Sequence, residues 1–437
     1  MDRARAYSNR TFASLAVRNY RLYVIGQGIS LSGTWMQTVA QGLLVLRLTH
    51  SGTALGLVTA LQAIPVLLMG PWGGVIADRF PKRSILYFTQ ISASLCSLTM
   101  GALVLGGWIR IWMVYITAVV LGIIKVFDNP TRQTFVREMV GKELLANAVS
   151  LNSTEFNLAR VVGPALAGIF VATIGLGWCF IVDAVSYTLV VAMLYMMDGN
   201  TLLPNPRVSQ TKGQLTAGLK YVRSTPVLFN LLVMMGIVGM LTYEFSVSLP
   251  LLSEFTLNAG DSGYAALTAA MGIGAVFGGL YTAGKRRTGP RLLSLSAFLF
   301  GVSVLLVSFA PNLTAAVAAM VIVGFFSINF TSLGNVTLQT QSRPDMQGRV
   351  MALWSVAVLG TTPIGGPLIG SIGEHAGARW SLIVGGLAAI FAAGLGLWTV
   401  KRTGVVEDNA GPQARGLTGE TGMEVSATAR RGVSSAD

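Results

Sequence analysis

The sequence predicts an all-α polytopic membrane protein, twelve transmembrane helices arranged as two pseudo-symmetric six-helix bundles. Three observations predict it. Charge is scarce and displaced to the chain ends. Apolar runs of membrane-spanning length recur twelve times. The last six runs repeat features of the first six at a nearly constant offset.

Of 437 residues, 52% are hydrophobic and 11% charged, with a mean hydropathy of +0.63. A soluble chain carries about 25% charged residues; this one has 49, six within residues 1–21 and ten within 401–437. The 33 left for the 379 residues between cannot cover a water-facing surface, which excludes an ordinary soluble enzyme. Disorder is excluded too, because it needs low hydrophobicity. Cys96 and Cys179 lie in apolar runs and read as buried hydrophobes. His50 and His375 are far apart in short polar links, so no metal site and no histidine-based catalytic group is expected.

A crossing helix needs about 20 mostly apolar residues. Such runs fall at 21–46, 53–77, 84–107, 111–131, 147–174 and 177–197, then at 227–252, 262–284, 291–309, 313–338, 348–373 and 378–400. Each must be a helix, since backbone groups in hydrocarbon have to be satisfied within their own segment. None alternates in the way a transmembrane strand does. Residues 1–20 form an N-terminal segment without an apolar stretch of its own, so the first run is expected to act as the targeting signal. Residues 198–226 link the bundles and carry Pro204 and Pro206, with a short amphipathic helix expected at 214–223. The organisation is therefore 1–20, a bundle over 21–197, a linker over 198–226, a bundle over 227–400, and a disordered tail over 401–437 that is rich in Gly, Ser and Thr.

Twelve spans put both termini on one side of the membrane. If that side is the cytoplasm, the inner segments hold 26 of the 31 Lys and Arg, among them Arg79, Lys82, Arg83, Arg223, Lys285, Arg286 and Arg287. The outer links hold only Arg47, Arg110 and Arg379. This asymmetry predicts cytoplasmic termini. It also accounts for the net charge of +13 without a nucleic-acid partner.

The halves echo each other. Gly73-Gly74 in the second run matches Gly278-Gly279 in the eighth, 205 residues on; Gly122 matches Gly324 at 202, and Gly163-Pro164 matches Gly366-Pro367 at 203. Parallel six-helix repeats with a binding site between them are a transporter architecture.

After the second run stands Gly74-Val-Ile-Ala-Asp78-Arg79-Phe-Pro-Lys82-Arg83. It resembles the Gly-x-x-x-Asp-Arg-x-x-x-Arg signature of the major facilitator superfamily, with Pro81 where a glycine is common. In the second half Lys285-Arg286-Arg287 keep the charge without a preceding acid. Asp128-Asn129-Pro130-Thr-Arg132, Leu145-Ala-Asn-Ala-Val-Ser-Leu-Asn152 and Asn157-Leu-Ala-Arg160-Val-Val-Gly163-Pro164 resemble its branch of enterobactin-exporter-like and macrolide-efflux-like permeases, the transmembrane secretion effectors. The likeness runs to about residue 400. It implies a major facilitator fold and a conformational gate of Gly74, Asp78, Arg79, Arg83 and Asp128. In that gate the glycine allows close helix approach, Asp78 lies near the helix start of the eleventh span, and the arginines pair with Asp128. It implies a helix-bending role for Gly163, Pro164, Gly168, Gly366 and Pro367.

Ionisable groups inside spans cost at least about 2.5–3.5 kcal/mol each on insertion scales and mark function by default. Glu155, Glu244, Asp183 and Arg160 are the proton-coupling candidates, and Lys125 is placed to pair with Glu155. Gln27, Trp35, Gln37, Gln62, Asn152, Tyr243, Asn329 and Trp354 are pocket candidates at compatible depth, with Gln41, Gln90, Asn335 and Gln339 as further polar groups; together they suit a bulky amphiphile. Trp108, Trp112, Trp178 and Trp380 fall at outer interfaces as aromatic anchors. Gly279-Leu-Tyr-Thr-Ala-Gly284-Lys285-Arg286 misses a phosphate loop because Arg replaces the Ser or Thr that ligates magnesium.

The expectation is a proton-antiporting exporter in the bacterial cytoplasmic membrane, its partners being the bilayer, protons and a siderophore, macrolide or other amphiphilic substrate. It is not an enzyme, needs no cofactor or metal, and acts as a monomer. The alternatives are a proton-coupled nutrient importer and a non-transporting membrane sensor.

Overall fold

The structure, a computed structural model, describes residues 12–203, 214–283, 289–343 and 346–403. The expected disordered tail, most of the N-terminal segment, the Pro204 and Pro206 link and the Lys285-Arg286-Arg287 cluster lie outside the described residues, wholly or for the tail beyond Thr403.

Six long helices form the first bundle: α1 (Arg18–Thr49), α2 (Gly52–Arg79), α3 (Lys82–Leu105), α4 (Ile111–Val140), α5 (Leu145–Thr173) and α6 (Leu176–Tyr195). The amphipathic α7 (Gln214–Ser224) lies in the linker. The second bundle comprises α8 (Pro226–Leu241), α9 (Phe245–Phe255), α10 (Gly260–Ala283), α11 (Pro290–Ser308), α12 (Leu313–Gln341), α13 (Gln347–Leu359), α14 (Thr362–His375) and α15 (Ala378–Thr403). Among the described residues, eleven helical segments are long and apolar enough to cross a membrane. The twelfth crossing, α1, is long enough but more polar, with Gln27, Gln37 and Gln41 buried along it.

Starts and stops follow local chemistry. The Ser51 hydroxyl accepts from the Ala54 amide at the start of α2, and Asn312 accepts from Ala315 at the start of α12. Pro226 and Pro290 open α8 and α11, where the missing amide is no loss. Trp108, Trp112, Trp178 and Trp380 are all exposed at helix ends.

The seventh and eleventh spans are not continuous helices, as the run length predicted, but pairs. Between α8 and α9 the chain leaves the helix at Thr242, Tyr243 and Glu244. There the amides of Thr242 and Tyr243 share the Val238 carbonyl, the Thr242 hydroxyl binds the Gly385 carbonyl at 2.7 Å, and the Tyr243 hydroxyl binds the Ser327 carbonyl at 2.9 Å. Between α13 and α14 it breaks at Gly360 and Thr361, just before Pro363. The second break, and not Gly366-Pro367, interrupts the span. Pro164 and Pro367 lie inside helices that continue past them.

The repeat is visible in packing. In the first bundle α2 packs on α4 and α3 on α6; in the second α10 packs on α12 and α11 on α15. Equivalent glycines make the equivalent crossings. A Cβ at Gly73 would fall 2.0 Å from the Val126 carbonyl and one at Gly122 2.4 Å from that of Gln62. At Gly278 and Gly324 it would fall 2.4 Å and 1.9 Å from the carbonyls of Phe325 and Met271. Absence of a side chain is what lets these backbones meet.

Candidate functional site

The two bundles touch along α2 with α14 and along α5 with α10. These seams are tight at one end only. A Cβ at Gly52 would lie 2.5 Å from the Gly370 carbonyl, one at Gly56 2.2 Å from that of Gly366, and one at Gly168 2.9 Å from Ala265 Cβ. Above them Arg47 at the end of α1 pairs with Asp261 at the start of α10. At the opposite end Gly70, Gly74 and Gly279 meet nothing, and Trp72, Val149, Phe277 and Leu280 are exposed. The open end is the one bearing Arg79, Arg83, Arg223 and Lys401.

The gate candidates sit at this open end without forming the latch drawn from the sequence. The close approach belongs to Gly73; Gly74 stands in open space. Asp78 and Arg79 are exposed at the end of α2. Arg83 donates to the Tyr195 carbonyl at 3.0 Å and lies over Tyr87. Asp128 is buried and pairs within its own helix with Arg132 at 2.5 Å, while accepting from Thr89 and Gln90, both at 2.8 Å. Arg132 also donates to Gln27. With the bundles apart at this end, Asp128 has found local donors. A buried ion pair that the sequence reading missed, Lys82 with Glu138 at 2.5 Å, ties α3 to α4 beside them.

The intramembrane acids are separated. Asp183 is fully buried in the first bundle and accepts from Ser97 at 2.7 Å. Glu155 lies against Gly28 of α1, where a Cβ would be 2.9 Å from its Oε1, and that oxygen has no partner. Lys125 makes no ion pair with it: among the described residues the ion pairs are the three already given. Glu244 occupies the break between α8 and α9, 3% exposed. Its carboxyl faces Gly365 and Gly366 of α14 and leaves Oε1 unpartnered. Arg160 stands at the α5–α10 seam over the Trp35 ring.

Of the pocket candidates, Trp354 lines a cavity of about 370 Å³ in the second bundle, with Thr331, Ser332, Asn335, Val336 and Val358. Trp35 and Met271 flank Arg160 from opposite bundles, and Tyr243 binds the Ser327 carbonyl of α12. Gln37 is buried with its amide nitrogen unpartnered, and Asn152 leaves its carbonyl oxygen unpartnered. Asn329 is satisfied by Thr282 and Phe325, whereas Gln27 accepts from Arg132 and leaves its amide nitrogen unpartnered; at Gln62 it is the backbone carbonyl that lies against Gly122. Asn329 and Gln27 each tie two helices together in this structure. Thr331 and Ser332 escaped the sequence reading because hydroxyls one helical turn from Asn335 give no distinct signal among many Ser and Thr.

A polytopic chain of two helical repeats, sealed at one end of the seam and open at the other, is a membrane transporter. The chain belongs to the transmembrane secretion effector family of the major facilitator superfamily: that family's model matches residues 9–433. It is 24% identical over 375 residues to the staphyloferrin A transporter of Staphylococcus aureus, covering 82% of this chain and 90% of that one. It is 24% identical over 360 residues to the enterobactin exporter EntS of Shigella boydii, covering 81% and 85%. The fold matches a bacterial homologue of the human lysosomal transporter Spinster, with TM-score 0.68 and 16% identity over 88% of this chain and 96% of that one. It also matches a D-xylose–proton symporter, with TM-score 0.68 and 14% identity over 87% and 97%. The protein is a multi-pass membrane transporter and not an enzyme.

Proposed function

We propose that the protein exports a small organic molecule across the bacterial cytoplasmic membrane by alternating access, in exchange for protons. The observation carrying this reading is the one-sided seam with Glu155 and Glu244 in opposite bundles, each outside any ion pair and each with an unpartnered Oε1. A carboxyl with no cation partner can take up and release a proton as its exposure changes. The basic residues at the open end support a cytoplasmic assignment for it, with both termini there. The structure is then inward-open, and Asp78, Arg79, Arg83 and Asp128 form their latch when the bundles close on that side. The rocking units are 21–197 and 227–400, joined by 198–226, and the transporter works as a monomer. The exporter and transporter of siderophores among its relatives support a substrate of that size and polarity.

The test is accumulation. Cells lacking the protein retain its substrate, and cells overproducing it release more, with release abolished by a protonophore. Import of a nutrient would give the opposite sign.

A further inference from the structure

Arg160 is midway along α5, where α5 crosses α10: its carbonyl is the atom that a side chain at Gly272 would strike, at 2.8 Å. The guanidinium bridges the bundles. The Trp35 ring of α1 lies 5.5 Å from its Cζ, and Met271 Sδ of α10 lies 3.6 Å from its Nη2. Neither contact neutralises a charge, and no carboxylate among the described residues is within ion-pair distance. Arginine cannot escape the membrane by losing its proton. The cost of holding it there is offset in part by the indole face.

The surroundings are those of a ligand. Trp35 carries Phe156 edge-on at 5.8 Å, and Phe156 is 46% exposed. Across the seam the Tyr243 hydroxyl binds the Ser327 carbonyl of α12. Four to eight residues further along α12, about 6–12 Å at the helical rise, Thr331 and Asn335 open onto the 370 Å³ cavity.

We infer that Arg160 is the anion subsite of the transport cavity. It takes a carboxylate or comparably acidic oxyanion of the substrate, an aromatic arm lies on Trp35 and Phe156, and the polar remainder reaches Thr331, Ser332 and Asn335. This rests on the transport reading proposed above and narrows the substrate to an amphiphilic organic anion, as against a neutral or cationic drug. The anion replaces Met271 at the guanidinium, so its arrival is felt at the seam between bundles.

The full chain in zwitterionic lipid nanodiscs is titrated calorimetrically with biphenyl-4-carboxylate, naphthalene-1-carboxylate and indole-3-acetate, each beside its primary amide. The expected result is that at least one acid binds ten-fold or more tighter than its amide. Arg160→Gln should remove that preference without changing amide binding, and Arg160→Lys should keep it in reduced form. If Arg160→Gln does not fold, Arg160→Lys and Trp35→Leu carry the test: the first retains acid preference, the second weakens acid and amide together. Acids binding no better than amides, no acid binding, or acid preference surviving Arg160→Gln would overturn the subsite. The preferred acid is then loaded into proteoliposomes. Selective binding without translocation supports the subsite and counts against the transport reading. Translocation of neutral compounds only, unaffected by Arg160→Gln, overturns the subsite and leaves transport standing.

Discussion

The Glu374 carboxylate of α14 accepts from the Ser51 hydroxyl at 2.8 Å and from the Thr53 amide at 2.9 Å, so a side chain of the second bundle caps the first turn of α2 in the first. Ser51 uses its own oxygen to cap the Ala54 amide. The free amides at a helix start favour negative charge, and here the charge comes from across the seam. With Arg47 and Asp261, it makes two charged links that must break before the sealed end can open.

Glu374→Ala should therefore shift the conformational balance toward the other state. The site is exposed, so each charged link is worth about 1 kcal/mol, roughly a five-fold change in population. Thr59→Cys, beneath the seal, should react about five-fold faster with an impermeant thiol reagent applied from outside when Glu374→Ala is added. Adding Asp261→Asn should raise it further. An unchanged rate would remove the cap from the gate.

Glu155→Gln and Glu244→Gln should each abolish stimulation of efflux by an imposed pH gradient, by ten-fold or more, while gradient-free exchange of substrate persists. Proteoliposomes loaded with the compound that accumulates in cells lacking the protein give both rates. Full gradient stimulation in both variants would exclude these carboxyls from coupling.

Gly324→Ala places a methyl 1.9 Å from the Met271 carbonyl. Helix backbones cannot yield by that much cheaply, so stability should fall by about 1–3 kcal/mol or more. Gly74→Ala meets nothing and should leave stability unchanged or raise it by up to about 1 kcal/mol. Thermal unfolding in detergent distinguishes the two; equal transitions would contradict the packing.

Lys82 and Glu138 are 8% and 13% exposed. Removing one partner strands a buried charge, so Glu138→Gln should cost about 3–5 kcal/mol, and Lys82→Met with Glu138→Leu together much less. The same thermal assay compares them.

The fold was legible because its cause is the solvent. Lipid demands long apolar helices, and run length reports them with ends displaced by a few residues. The exception is α4, which continues through Pro130 to Val140, well past the predicted 131, because its inner turns leave the lipid for the polar contacts of Asp128 and Arg132. The breaks were less legible for different reasons. Gly360 followed by Pro363 is a local signal that the run length overrode. Thr242, Tyr243 and Glu244 carry no breaker, and that break is held by bonds to Gly385 and Ser327, which are distant in sequence. Site partners fared likewise: Glu155 and Lys125 share a depth on neighbouring helices, yet depth does not fix which way a side chain turns. Arg160 could be placed in the membrane from sequence, but its lack of an acid partner is visible only when every neighbouring helix is in place.

The most direct test of the central claim compares small molecules inside cells and in the medium with and without this protein, in energised cells and after protonophore treatment. The account predicts an organic anion that disappears from the medium and builds up inside when the protein is lost, with the same pattern in wild-type cells once the gradient collapses. A compound whose internal level instead falls on loss of the protein would contradict export and reverse the assigned direction.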